Sequence, residues 1–353
     1  VTSIYILADT IMVGQGVGDA GLAALTIFMP IVASFFALGL LLGVGGGVLM
    51  SVAKGSGNES LAHKYFSTAM ISAAVVSVCF AVFGAIFFDP MMYALGADIT
   101  NIELVRGYGL CYTVSAPLFI FSSSLQSFIR NDKSPRHAMI AVLTGSGLNI
   151  LLDYLFIFVF KMGMFGASFA TSIGTSITVC ILVIHFFTKK NTMRFSFRFF
   201  SIKALWEIAK CGFSSFLIEC ANAVLVFVFN HTLLKYIGSV GVTVYSIMSN
   251  VAVVCMSLFN GVTLAAQPII ATNHGADSHK RVLQVRHIGT ITSSVIAVII
   301  FCVGFFFPDL LIYSYVNSPT PEILELARYA LRIYFFAYLF MNFNIFFSGY
   351  FQS

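Results

Sequence analysis

The sequence predicts an all-α polytopic membrane protein. Hydrophobic residues make up 59% of the 353-residue chain and charged residues only 9%, and the mean hydropathy is +0.94. Soluble domains carry about 25% charged residues, so this chain lacks the charge to solvate a water-facing surface. A soluble globule, a disordered chain and a nucleic-acid binder are excluded despite the net charge of +5. The 38 Phe and 28 Gly against one Trp suit helices in lipid, where small residues let backbones approach closely. The seven Cys form no CxxC pair and the seven His show no HxxxH or HExxH spacing. Neither a disulfide framework nor a metal site is indicated.

Apolar stretches of about 18–25 residues mark bilayer-crossing helices. Ten are expected, at residues 1–14, 21–53, 65–88, 107–129, 138–160, 165–188, 211–234, 241–271, 288–307 and 327–351. The second and eighth are long enough to tilt, kink or extend beyond the hydrocarbon. The chain opens inside the first span without an initiator Met and stops at Ser353 without a tail, so a fragment of a longer protein is expected.

Orientation follows from Lys and Arg placement. Fourteen of the 19 basic residues fall on alternate connections, from Lys54 and Lys64 through Arg130, Lys133 and Arg136 to Lys280, Arg281 and Arg286. That side is expected to be cytoplasmic, with the N-terminus inside and the protein a multi-pass component of the plasma or inner membrane. The longest connection, residues 189–210, alternates basic residues with Phe: Arg194, Phe195, Phe197, Arg198, Phe199, Phe200. It reads as an amphipathic helix lying on anionic lipid headgroups.

This connection separates two similar parts. Gly57 to Pro90 and Gly275 to Pro308 span the same interval, with Ser60, Phe83 and Phe87-Phe88 matching Ser278, Phe301 and Phe305-Phe306. Gly18 and Gly21 likewise match Gly238 and Gly241. The expected organisation is an N-terminal lobe over 1–188 with spans 1–6, the start of span 1 missing. The connection follows at 189–210, then a C-terminal lobe over 211–353 with spans 7–10. Both lobes would enter the membrane from one side, as parallel repeats about an axis along its normal. On this reading the second lobe lacks spans 11 and 12.

Three of the 14 acidic residues, Asp9, Asp153 and Glu219, lie inside spans. A carboxylate in hydrocarbon costs at least about 2.5–3.5 kcal/mol on insertion scales, which marks it as a functional candidate. About five residues separate Asp9 from the outer end of its span and about seven separate Asp153 from that of its own; at about 1.5 Å per residue both reach the outer half. Asn149 shares a face with Asp153 and Tyr5 with Asp9, each four residues earlier, and Thr171 reaches the same level. Two carboxylates with amide, phenol and hydroxyl neighbours can bind a proton or Na⁺; the alternative is a satisfied interhelical hydrogen-bond network. Glu219, with Asn222 nearly one turn on, either faces organic cations or is a snorkelling structural residue. Asn230, the counterpart of Asp9 within one residue, is uncharged, which concentrates ion chemistry in the first lobe. Gly39, Gly43 and Gly47 form a small-residue ridge in the second span, read as close helix packing or a bend.

These features resemble the multidrug and toxic compound extrusion (MATE) family of antiporters. The resemblance rests on Ala8-Asp9-Thr10-Ile11-Met12-Val13-Gly14, Gln126-Ser127-Phe128-Ile129-Arg130, Leu148-Asn149-Ile150-Leu151-Leu152-Asp153 and Gly166-Ala167-Ser168-Phe169-Ala170-Thr171. In the second lobe, Ala266-Gln267-Pro268-Ile269-Ile270 with Asn273 and Gly275 looks like the family's eighth-span signature. The resemblance implies two six-helix lobes forming a V around a central cavity, and exchange of H⁺ or Na⁺ for organic cations. It implies a first-lobe cation site at Tyr5, Asp9, Ser146, Asn149, Asp153 and Thr171, with Na⁺, if used, at Asp9, Asn149 and Asp153. Glu219 matches an acidic position that some members use, and Asn222, Gln267, Asn342 and Asn344 are expected to line the substrate cavity. Where some members carry an Asp in the tenth span, this chain has Asn342 and Asn344, a departure that bears on a second-lobe cation site.

The expected function is secondary antiport of amphipathic organic cations, with no cofactor beyond the coupling ion. Small organic cations and membrane lipid are the expected partners, nucleic acid is not, and the protein is expected to be a monomer. A lipid-linked oligosaccharide or polysaccharide flippase is the alternative, but it would line its cavity with basic residues, and no Lys or Arg lies mid-span. An intramembrane enzyme would need a nucleophile–base pair or metal cluster at membrane depth, which the sequence does not offer.

Overall fold

The computed structural model describes residues 2–99, 101–237, 239–315 and 320–353; the side chains of Tyr5 and Asn230 lie outside the described residues. Every element among them is helical. In order they are α1 (Thr2–Gly16), α2 (Asp19–Gly55), α3 (Glu59–Ile86), α4 (Phe88–Ala94), α5 (Ile102–Val114), α6 (Ala116–Asn131) and α7 (Pro135–Asp153). A π-helical segment (Tyr154–Val159) prolongs α7, and α8 (Gly163–Ile184) follows, ending in a 3-10 turn (His185–Phe187). After a second 3-10 turn (Phe197–Phe199) come α9 (Ile202–Tyr236), α10 (Ser239–Gly275), α11 (His279–Phe306), α12 (Pro308–Tyr315) and α13 (Pro321–Gln352).

Seven of these stretches are long and apolar enough to cross a bilayer, and α5 with α6, bent by 51° at their break, makes an eighth. The bend falls at Ser115, two residues before Pro117, whose ring removes a backbone N–H and disfavours helix at the residue before it. The remaining two expected spans correspond to α1, only 15 residues long, and to α9. Val75, Val78, Val82 and Phe83 on α3, and Ile291, Val295 and Val298 on α11, are exposed. Faces of this kind are solvated by acyl chains in a bilayer.

Contacts divide the chain into two units, Val1–Cys220 and Ala221–Ser353. The first unit therefore takes in the whole connection and the opening turns of α9, beyond the expected lobe limits of 188 and 211. Within this unit the opening turns of α9 touch α2 and α3. Gly45 and Gly212 let the two backbones touch, since a Cβ on Gly212 would collide with the Leu41 carbonyl. Tyr65 Oη also donates to Glu207 Oε2 at 2.6 Å. The helix expected across 189–210 is confined to the 3-10 turn and the first turns of α9; the rest of that stretch is irregular.

The repeat appears in the element lengths: α2 and α10 have 37 residues each, α3 and α11 have 28 each. It also appears in a feature the sequence landmarks do not include. Arg106 of α5 grips Asp89 of α4 through both carboxylate oxygens. Arg328 of α13 grips Asp309 of α12 in the same way, at 2.5 and 2.7 Å. The Arg328 guanidinium holds the Asp309 carboxyl below its usual range.

In the first unit the glycine ridge of α2 packs against α6. A Cβ on Gly43 would lie 2.7 Å from Ser124 Cα and one on Gly47 2.8 Å from Asn131 Nδ2, so the ridge serves close packing. Ser124 Oγ donates to the Gly39 carbonyl at 3.0 Å, and Ser51 Oγ donates to Asn131 Oδ1 at 2.8 Å. The core alongside is aromatic, with Tyr112 and Phe119 stacked at 4.2 Å. The second unit has its own core around Phe259, Phe335 and Tyr338.

Candidate functional site

The site is set by the crossing of α7 and α8. Gly145 and Gly174 face each other there: a Cβ on Gly174 would lie 2.8 Å from the Gly145 carbonyl oxygen and 2.9 Å from Asn149 Cβ. The missing side chains bring Asn149 to Thr171, whose Oγ1 accepts from Asn149 Nδ2 at 3.2 Å and donates to the Ala167 carbonyl at 3.0 Å. Overpacking of this kind destabilises by about 1–3 kcal/mol. Gly174→Ala is therefore expected to lower the melting temperature in detergent, because the new methyl pushes Asn149 aside. Unchanged melting would show that the crossing has slack.

α1 packs on α7, on the π-helical segment and on α8, which carries Asp9 to within electrostatic reach of Asp153. Asp9 is buried and Asp153 fully so; Ser146, Asn149 and Thr171 are buried too. Of the six residues expected here, the structure gathers these five on adjoining elements, while the Tyr5 side chain lies outside the described residues.

The polar atoms of this cluster are mismatched. Asp9 Oδ1, both carboxylate oxygens of Asp153 and Asn149 Oδ1 are buried with no hydrogen-bond donor among the described residues. All four are acceptors. Leaving one buried acceptor unpaired costs about 1–3 kcal/mol, more for a charged one, and the described residues supply no donor to these four oxygens. Nor does a basic side chain compensate: the ion pairs among the described residues are Lys54–Asp132, Arg106–Asp89, His185–Asp132 and Arg328–Asp309. Oxygens that lack donors and carboxylates that lack counter-charges suit a proton or a hard cation such as Na⁺. Among the described residues no group of three or more His, Cys, Asp or Glu is arranged to hold a metal; the cluster has two carboxylates, with amide and hydroxyl oxygens beside them. The π-helical turn begins at Tyr154, directly after Asp153, and such wide turns often accompany functional positions in helices.

The remaining expected residues are spread over other elements. Glu219 is half-buried on α9 and Asn222 is exposed. Gln267 and Asn342 are buried on α10 and α13, which pack against each other, and Asn344 is exposed. Asn342 Nδ2 donates to the Leu339 carbonyl at 2.8 Å, whereas its buried Oδ1 has no donor among the described residues.

A second polar cluster, unforeseen from the sequence, lies at the end of α6. Lys54 Nζ donates to Asp132 Oδ1 at 2.5 Å, and His185 Nε2 faces Asp132 Oδ2 at 2.8 Å. The Thr192 backbone N–H donates to Oδ2 at 3.0 Å and its hydroxyl donates to Oδ1. Asp132 and His185 are 2% and 1% exposed, Lys54 18%. Burial disfavours the Asp132 charge, but hydrogen bonds from Lys54, Thr192 and His185 outweigh it and hold the carboxyl below its usual range. The sequence signal was the lone acid of the strongly basic Arg130–Arg136 connection.

Comparison with known proteins gives a consistent result. The family profile described as MatE matches residues 1–155 and 211–353. The multidrug export protein MepA of Staphylococcus haemolyticus (strain JCSC1435) is 26% identical over 355 residues, covering 99% of this chain and 77% of the relative. MepA of Staphylococcus aureus (strain MSSA476) is 24% identical over 356 residues, with the same coverage. Among solved structures, an outward-facing multidrug resistance MATE family transporter of the MOP superfamily superposes with a TM-score of 0.93 at 23% identity, covering 99% of this chain and 78% of that one. A MATE structure in the straight conformation gives 0.92 at 23% identity, with the same coverage.

Proposed function

Because the chain belongs to the MatE family, we propose that it is a secondary antiporter that exports amphipathic organic cations in exchange for H⁺ or Na⁺. The substrate half of this reading is supported by the relatives named as multidrug export proteins, which leave a lipid-linked saccharide flippase unfavoured. The placement in the membrane, N-terminus inside, is supported by the alternation of basic connections.

The observation that carries the coupling half is the pair of buried carboxylates, Asp9 and Asp153, whose cluster has acceptor oxygens without a donor among the described residues. A proton or Na⁺ entering the cluster neutralises charge that no ion pair among the described residues compensates. Burying an unpaired ion costs several kcal/mol, so the charged and neutralised clusters favour different packings of α1 against α7 and its π-helical extension. Exchange needs that difference, because a ligand shifts a conformational equilibrium only by its differential affinity for the two states. The organic cation and the coupling ion then favour opposite states and move in opposite directions.

The test is transport by the protein reconstituted in vesicles, with pH and Na⁺ gradients imposed separately. One gradient is expected to drive accumulation of a cationic dye and the other not. Equal, slow leakage under both would reject antiport.

A further inference from the structure

Between Phe187 and Trp206 the chain has no acidic residue. Lys189, Lys190, Arg194, Arg198, Lys203 and Lys210 are all exposed, and none enters the ion pairs found among the described residues. The acid that follows, Glu207, is taken by Tyr65. Interleaved with these cations are large apolar side chains facing outward: Phe187 at 87% exposure, Phe197 and Ile202 at 76%, and Trp206 at 62%. Lys210 Nζ lies 5.3 Å from the Trp206 ring centre. Unpaired cations alternating with exposed aromatic rings fit a partner that is anionic at its surface and apolar just beneath it.

The backbone that presents these side chains is pinned. Ser67 Oγ of α3 donates to the Arg194 carbonyl at 3.4 Å and accepts from Ser196 N at 3.2 Å. Its neighbour Thr68 does the same one step on, donating to the Phe199 carbonyl and accepting from Ser201 N, both at 3.3 Å. Met193 is buried beneath, and Thr192 is clamped by Asp132 and Lys54. A strap held at so many points offers its side chains without further ordering, which lowers the entropic cost of binding.

We propose that this strap is a docking surface for anionic phospholipid headgroups. Its ammonium and guanidinium groups meet headgroup phosphates, while Phe187, Phe197, Ile202 and Trp206 enter the boundary between headgroups and acyl chains. A helix over the whole stretch is not needed for this: the hydroxyls of Ser67 and Thr68 fix an irregular strap that leads into the first turns of α9, which carry Ile202, Lys203, Trp206 and Lys210.

Trp206 is the single tryptophan of the chain, so its fluorescence reports this surface alone. The protein is placed in nanodiscs of zwitterionic lipid containing equal mole fractions of either brominated phosphatidylglycerol or brominated phosphatidylcholine. Each basic side chain near an anionic leaflet contributes about fivefold in partition, so brominated phosphatidylglycerol is expected to quench Trp206 far more strongly. High salt is expected to remove the preference, and so is K189Q/R194Q/R198Q/K203Q. The salt series on the unsubstituted protein makes the test independent of whether that variant folds. Equal quenching by the two lipids at low salt would overturn the proposal, as would a preference insensitive to salt. Quenching by neither lipid would also overturn it, leaving the strap to an acidic protein partner.

Discussion

Asp153→Asn and Asp9→Asn are each expected to abolish gradient-driven export while binding of the organic cation partly survives. Both carboxylates are buried without an ion-pair partner among the described residues, so their charge is the quantity that a coupling ion alters. An Asn is permanently neutral and cannot distinguish the two states. Coupling between sites typically amounts to about 5–150-fold in affinity, about 1–3 kcal/mol, and the gradient-dependent part of accumulation should fall by at least about fivefold on that scale. Asn149→Ala is expected to act less completely, because it removes an acceptor oxygen and the bond to Thr171 but no charge. Vesicle uptake and dye-binding titrations on the same preparations separate the two effects. Wild-type export in both Asp variants at normal expression would reduce the cluster to a structural feature.

Asp132→Ala is expected to be the most damaging single change to stability outside the spans. It leaves Lys54 and the buried His185 without their shared carboxylate and removes two of the hydrogen bonds that hold Thr192. Breaking a buried pair costs about 3–5 kcal/mol, and the lower end applies because Lys54 is 18% exposed. The expected readouts are a lower melting temperature and faster protease cleavage within residues 188–201. The pH dependence follows from the sign of the shift: the folded carboxyl titrates below the ordinary aspartate value. Its contribution is therefore complete above about pH 3.9 and is lost as pH falls through the folded value. Acid should thus release the connection in the native protein, whereas Asp132→Asn should show no such step. Cleavage rates identical in Asp132→Ala and the unsubstituted protein would contradict this account.

The Asp9–Asp153 cluster was legible in the sequence for a physical reason. Each carboxylate interrupts a long apolar run, and helix geometry converts residue counts into depth, so equal depth and shared faces follow from spacing alone. The bilayer-crossing helices were legible because hydrocarbon thickness sets their length. The Asp132 cluster was not, because its partners stand 78 and 53 residues away and no local spacing announces them. The Asp89–Arg106 and Asp309–Arg328 grips were missed similarly, each joining a short helix to the next one across a connection. The π-helical segment after Asp153 is an apolar run with no compositional mark. Of the helix expected over residues 189–210, only the 3-10 turn and the first turns of α9 form, since basic and aromatic alternation suits several backbones and the rest is held by Ser67 and Thr68 on a distant helix.

The central claim is that Asp9 and Asp153 exchange a small cation for the exported compound. Linkage makes the exchange reciprocal, so it can be driven backwards. In vesicles with no imposed pH or Na⁺ gradient, a steep gradient of a cationic substrate is applied, and internal pH and Na⁺ are followed with trapped indicators. Substrate movement is expected to drive H⁺ or Na⁺ the opposite way, and the counter-flux should vanish in Asp9→Asn and Asp153→Asn. Substrate movement with neither ion moving, or a counter-flux of full size in both variants, would contradict the account.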